Sequence, residues 1–306
     1  MPRLPSLFIS HGGGPGFFMK AQPGSSFSDF DSSSPACRAF TRVGQFPTDF
    51  HLPVQPKLIV VISAHWEESP TEPFHVFDNP QQKLYYDYYG FPDSTYQLKY
   101  PSPMADQGEA RKIVDLINSY PDDKVNAVLD IKRQGFDHGV FMPLMLLYPK
   151  ANVPVVQISL NRNADPELHY KLGLALRSLR DEGALIIGSG EATHPMSNQM
   201  GPEPTAKFIE AVEDILLPLD NAVRLEGMKR LFQSPLMRVT HNPTFEHFIP
   251  LLVIMGTANG GPARDLFKNP KRGQDFRAAK GSFSMASFIF GVDEIGGHSE
   301  RGKPEL

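Results

Sequence analysis

Five of the ten histidines stand where chemistry explains them better than packing does. His11 follows the apolar run Phe8-Ile9-Ser10 and precedes Gly12-Gly13-Gly14-Pro15. His65 follows Val61-Ile62-Ser63-Ala64, and His194 comes shortly after Ile186-Ile187-Gly188. In parallel α/β sheets ligands bind at the carboxyl ends of the strands, so three histidines beyond three strand ends are expected to converge. His138 lies in Gly135-Phe136-Asp137-His138-Gly139, a turn opening the apolar segment 140–148. Asp137 is placed either to orient that imidazole or to cap the helix. In Thr244-Phe245-Glu246-His247, Thr244 reads as an N-cap and the Glu-His pair falls in the first turn. Packing accounts poorly for that pair, and metal ligation by one of the two accounts for it better. Three neutral imidazoles, or two with a carboxylate, suit Fe(II), Mn(II) or Zn(II). Histidines that do not ligate are available for proton transfer.

Any one of these residues also reads as an ordinary loop or cap histidine; the weight lies in their coincidence. His241 reads as a surface turn, and His51, His75, His169 and His298 as structural or exposed. The glycines after His11 do not make a phosphate loop. They lack the Gly-x-Gly-x-x-Gly spacing, no Lys-Ser/Thr follows, and Pro15 removes an amide donor. An oxyanion loop of the lipase kind competes, but no Gly-x-Ser-x-Gly elbow accompanies it. The glycines are expected to let the backbone pass close to a ligand or metal.

Positioning these side chains requires a sheet. Short apolar or β-branched runs predict buried strands at Ser6–Ser10, Leu58–Ser63, Ala127–Ile131, Pro154–Leu160, Ala184–Gly188 and Ser282–Phe290. Between them, apolar residues at helical spacing predict helices over 104–119, 140–148, 166–182, 204–219 and 244–256. The alternation implies a single α/β domain with a largely parallel central sheet flanked by helices, the metal site lying at the carboxyl ends of its strands. It spans 1–292, and 293–306 reads as a polar C-terminal tail. Residues 12–53, rich in Gly, Pro, Ser and Phe, read as a long loop with short helical pieces that lines a pocket. Phe17, Phe18, Trp66 and Tyr89 are candidate pocket walls and equally candidate core.

Composition narrows the function classes. The chain has 306 residues, enough for a sizeable core, and a net charge of −4 gives no basic field for nucleic acid or anionic membrane. A single cysteine, Cys37, excludes an intrachain disulfide framework and Cys-rich zinc or iron–sulfur sites. No apolar run approaches the roughly 18 residues of a membrane span, and the N-terminus does not read as a signal peptide. A cytoplasmic location is the expectation. The sequence leaves the oligomeric state open.

Taken in order, Ser10-His11-Gly12 with Pro15, Ser63-Ala64-His65-Trp66, Gly135-Phe136-Asp137-His138-Gly139, Gly188-Ser189-Gly190 with Thr193-His194, and Asn242-Pro243-Thr244-x-Glu246-His247-x-x-Pro250-Leu251 form one set. The set resembles the class III extradiol ring-cleavage dioxygenases, in the branch similar to DOPA 4,5-dioxygenase. Tyr88-Tyr89-Gly90-Phe91-Pro92, Tyr100-Pro101-x-Pro103 and Gly281-Ser282-x-Ser284-Met285 add to it, and the resemblance covers about residues 4–292. It implies a non-haem Fe(II) enzyme that opens the ring of a DOPA-like catechol with O2 to a muconic semialdehyde, with Zn(II) as an alternative bound metal. By position, His11, His65 and His247 match the metal ligands. His194 matches a histidine beside the metal, acting as base or additional ligand, and His138 one that binds substrate or donates a proton. Glu246 is a reserve ligand, since other branches use a Glu. The chain departs from the common pattern at Gly12-Gly13-Gly14, one residue longer, and at Pro195-Met196. Two other readings share the scaffold: a zinc-dependent hydrolase or other redox-inactive metalloenzyme, and a binding protein that kept the fold without the chemistry.

Overall fold

The computed structural model describes residues 3–22, 31–43, 54–103, 105, 107–196, 202–266, 268–269, 274–275 and 283–291. The strands are β1 (Ser6–Ser10), β2 (Leu58–Glu68), β3 (Phe74–Phe77), β4 (Ala127–Leu129), β5 (Val155–Asn161), β6 (Ala184–Gly190), β7 (His194–Pro195), β8 (His241–Asn242), β9 (Ala263–Asp265), β10 (Lys268–Asn269), β11 (Gln274–Asp275) and β12 (Phe288–Phe290). The helices are α1 (Pro35–Val43), α2 (Gln107–Asn118), α3 (His138–Leu147), α4 (Pro166–Leu176), α5 (Pro202–Leu216), α6 (Asn221–Gln233), α7 (Pro235–Thr240) and α8 (Ile249–Ala258). Eight strands form one sheet in the order β4-β3-β5-β2-β6-β1-β12-β9. Its centre, β5-β2-β6-β1, is parallel, while β12 and β9 continue one side antiparallel and β3 meets β5 antiparallel on the other.

The alternation of β2 shows why a continuous apolar run makes a central strand. Val60 and Ile62 enter the core shared with α2, α4 and α8, and Ile59 and Val61 enter the core shared with α1 and α3. Every residue of α8 is buried, so it is an interior helix against β6 and α4. Asp165 caps α4, its side chain accepting the Glu167 and Leu168 amides.

Three expectations change. The segment 244–256 is not one helix: α8 begins at Ile249, and Thr244 caps nothing because Glu246 and His247 lie in the turn before it. Pro250 at the second helical position, where an amide donor is dispensable, favours this late start. Of the expected strand Ser282–Phe290, Ser282 lies outside the described residues; among the described ones Phe288–Phe290 pairs in the sheet and Ser284 bridges Thr193, so the strand is not continuous. β2 does not stop at Ser63 but runs on to Glu68, with a register shift against β5 between Ile62 and Glu67. In 12–53 the described parts are a 3-10 turn at Gly16–Phe18 and α1, as the loop reading expects. The tail 293–306, His51 and His298 lie outside the described residues.

His169 is a structural residue. It is fully buried, with Nδ1 2.8 Å from the Asp165 carbonyl and Nε2 accepting the Asn161 amide at 3.1 Å. Burial lowers its pKa to about 4, although the Asp165 carbonyl opposes the shift. The unfolded chain takes up this proton near pH 6.5 and the fold refuses it until about pH 4, so stability is lost as pH falls through that window. The expected loss is about 2 kcal/mol by pH 5. His169→Gln is expected to lose correspondingly less stability between pH 7 and pH 5 in urea titrations; an unchanged pH slope contradicts this.

Candidate metal centre

His11 is the first residue after β1, and its amide donates to the Gly190 carbonyl at 2.9 Å. Gly12 and Gly14 then adopt φ of 76° and 51°, left-handed backbone that suits glycine and turns the chain away. His65 is carried inside β2, where the register shift redirects the strand; bulges commonly re-aim side chains next to active sites. His247 comes from the turn before α8. Its carbonyl passes so close to Gly190 that any side chain there would overlap it, which explains the glycine at the end of β6. His194 lies in β7, which pairs with β8, and His138 opens α3.

These five histidines form one cluster. His65 Nε2 is 3.1 Å from His11 Nε2 and 3.2 Å from His247 Nε2. The His138 ring is 3.9 Å from the His65 ring, and His194 stacks on His247 at 3.6 Å with 11° between planes. Donor atoms of His11, His65 and His138 lie within 4.8 Å of one another, as do those of His194, Glu246 and His247.

Partners on the far ring nitrogens set the tautomers. Ser189 Oγ gives its proton to the Gly139 carbonyl, so it must accept from His11 Nδ1, 2.9 Å away. Glu246 Oε1 accepts a hydrogen bond from His247 Nδ1 at 2.8 Å, and Asp87 Oδ2 stands 3.3 Å from His65 Nδ1. Each Nε2 of the three is therefore a lone pair. Although 3.1 Å is hydrogen-bond distance, no proton is available between these nitrogens. Three lone pairs turned on one another repel, and a cation among them relieves this. The donor set thus fits a divalent metal. Protonation is the other relief, and the surroundings disfavour it. Burial, then the neighbouring imidazoles, lower His11 and His247 well below the ordinary range. Burial and His138 lower His65 to about 3, against the opposing pull of Asp87 and Glu246. Burial also lowers His194.

Asp137 neither orients His138 nor caps α3 through its side chain. Its carboxylate accepts Ser63 Oγ at 2.7 Å, Arg133 Nη2 at 2.6 Å and Gln157 Nε2. Asp87 holds His138 instead, accepting its amide at 2.9 Å and facing Nδ1 at 2.8 Å. Burial raises the Asp87 carboxyl, but bonding to His138 outweighs this and keeps it low. One carboxylate thereby braces two histidines. Sequence reasoning missed it, and its only signal is an acid inside the tyrosine run Tyr85-Tyr86-Asp87-Tyr88-Tyr89. Glu191 was missed as well. It is buried and accepts the Gly12 amide, and burial pushes its carboxyl well above the usual range. His241 is no surface turn: it is buried against Phe208 and Phe248, paired with His194 across β7 and β8.

A cavity of about 380 Å³ opens on the cluster, lined among others by His65, Trp66, Glu67, Arg162, Glu246 and His247. Of the candidate walls, Trp66 lines it, Phe17 packs on Phe40 in the core, and Tyr89 is 90% exposed. Burial, then the Glu246 charge, raise Glu67 to about 7. Among the described residues no helix is long and apolar enough to cross a membrane.

Residues 5–275 match the family described as the catalytic LigB subunit of aromatic ring-opening dioxygenase. The chain is 41% identical over 218 residues to a 4,5-DOPA dioxygenase extradiol of Beta vulgaris, covering 70% of this chain and 78% of that protein. It is 34% identical over 251 residues to the protein of that name in Mirabilis jalapa, covering 77% and 84%. For the Escherichia coli K12 protein of that name the figures are 30% over 272 residues, 84% and 86%. The crystal structure of the uncharacterized protein JW3007 from Escherichia coli K12 superposes with a TM-score of 0.65 at 26% identity, covering 94% of this chain and all of that one.

Proposed function

This chain belongs to the LigB family and is an extradiol ring-cleavage dioxygenase, and from that premise we propose that it opens a catechol of the DOPA type with O2, using Fe(II) held by His11, His65 and His247. The observation that carries the reading is the convergence of three Nε2 lone pairs at the inner end of a cavity that His65 and His247 line. Three imidazole donors from one side would hold a divalent ion and leave its remaining positions open to substrate. When bound, Fe(II) supplies binding positions for the diol and O2 and the electron transfer that lets O2 react. His194, stacked on His247, is set to take a hydroxyl proton as the diol binds. His138 is set to return a proton to the oxygen that leaves, with Asp87 at its Nδ1 balancing the charge when Nε2 is protonated. Trp66 supplies an apolar wall and helps keep water from the reacting ring.

The test is anaerobic purification, metal analysis, Fe(II) loading, and O2 uptake with a catechol panel including DOPA. One O2 consumed per catechol, with a yellow semialdehyde product, is expected. Confirmed iron loading with no uptake across the panel overturns the proposal, and tight zinc with hydrolytic activity replaces it with the hydrolase reading.

A further inference from the structure

The cavity has a charged outer end that the ring-opening chemistry does not use. We propose that Arg162 determines specificity by binding the carboxylate of an α-amino-acid side chain on the catechol, with Glu67, which lines the same cavity, binding the ammonium; this rests on reading the cavity as the catechol site. Arg162 directly follows β5, and its amide donates to the Glu68 carbonyl at 2.9 Å. Glu68 lies three residues beyond His65 on β2, roughly 10 Å along a strand. A catechol whose diol sits against His65 and His247 therefore points its side chain along β2 towards Arg162. Depth runs the same way: His247 is buried, His65 and Glu67 are half-buried, and Arg162 is exposed.

The charged groups around this end face one another through space. Among the described residues neither the Arg162 guanidinium nor the Glu67 carboxylate has a hydrogen-bond or ion-pair partner, though both line the same cavity. Across it, Glu246 spends Oε1 on His247 while its buried Oε2 has no partner. A cavity lined by one guanidinium and two acidic side chains complements a zwitterion. A neutral side chain would leave Arg162 and Glu67 to solvent and gain no charge-assisted hydrogen bond from them. Arginine also suits the part geometrically, since its fork donates to both carboxylate oxygens at once.

The experiment compares kcat/KM for DOPA, for dopamine, which lacks the carboxylate, and for 3-(3,4-dihydroxyphenyl)propanoate, which lacks the ammonium. It uses iron-loaded wild type, Arg162→Gln, Arg162→Lys and Glu67→Gln. Wild type is expected to prefer DOPA over both analogues. Arg162→Gln is expected to lower the DOPA-to-dopamine ratio about 10- to 100-fold, with Arg162→Lys between. Glu67→Gln is expected to lower the DOPA-to-propanoate ratio. A DOPA-to-dopamine ratio that moves less than twofold in Arg162→Gln overturns the proposal. If no catechol is turned over, the ring-opening reading fails separately. The subsite is then read from anaerobic binding of the same three compounds, followed by quenching of Trp66, the single tryptophan and a cavity wall. Equal binding of DOPA and dopamine by wild type overturns the subsite there too.

Discussion

His65→Ala is expected to emerge from metal-replete buffer nearly metal-free and without ring-cleaving turnover. His65 is the hinge of the donor set, because its Nε2 is the atom within 3.1–3.2 Å of both His11 Nε2 and His247 Nε2. Losing an outer partner of a metal ligand typically weakens metal binding about 10–100-fold, and losing the middle ligand should cost more than that. The substitution also has an opposite effect that a merely structural histidine would not show. In the metal-free protein it removes the lone pair facing two others, so apo His65→Ala is expected to be at least as stable as apo wild type. Metal addition should raise the melting temperature of wild type and not of the variant, because a ligand stabilises only a state that binds it. Full metal occupancy in the variant would falsify the ligand assignment. A lower apo stability would show that the far side of the ring, held by Asp87, matters more than the crowding of lone pairs.

The parts of this site written in local sequence were readable, and the parts made by tertiary contact were not. β1 could be bounded at Ser6–Ser10 because a buried parallel strand is a continuous apolar run closed by Gly-rich turn residues. His11, His65, His138, His194 and His247 could be singled out because each breaks such a run with a group that packing does not need. The register shift that keeps His65 inside β2 left no mark, since it depends on how β5 lies beside it. Asp87 is sequence-distant from both histidines it braces, 22 residues from His65 and 51 from His138, so no spacing rule connects them. Asp137 shows the converse: adjacency to His138 suggested a partner, but its two oxygens are taken by Ser63, Arg133 and Gln157. β3, α6 and α7 were not anticipated, as their short or weakly apolar patterns become clear only against their neighbours.

His194→Ala separates the two roles that position alone leaves to this residue. As a base it should be dispensable for the metal, and the variant is expected to keep wild-type occupancy while turnover falls about 10²–10⁴-fold. The structure supports that division. His194 presents its ring face to His247, stacked at 3.6 Å, whereas the 3.1–3.2 Å approach of Nε2 atoms links His65 to His11 and to His247. Burial lowers the His194 pKa against the pull of Glu246, and this favours the neutral imidazole that a base needs at the start. Its backbone is fixed from two sides: β7 pairs with β8, and Thr193 Oγ1 accepts the Ser284 amide at 2.8 Å. Truncating the ring should therefore leave a hole of defined shape and not a collapsed strand. Added imidazole is expected to enter that hole and restore part of the turnover, with the rescue growing as pH rises and more of the added base is neutral. Loss of metal along with turnover would make His194 a ligand, and unchanged turnover would move the base elsewhere. His138 is then the next group to test, because Asp87 already holds its far nitrogen and leaves Nε2 free to carry a proton.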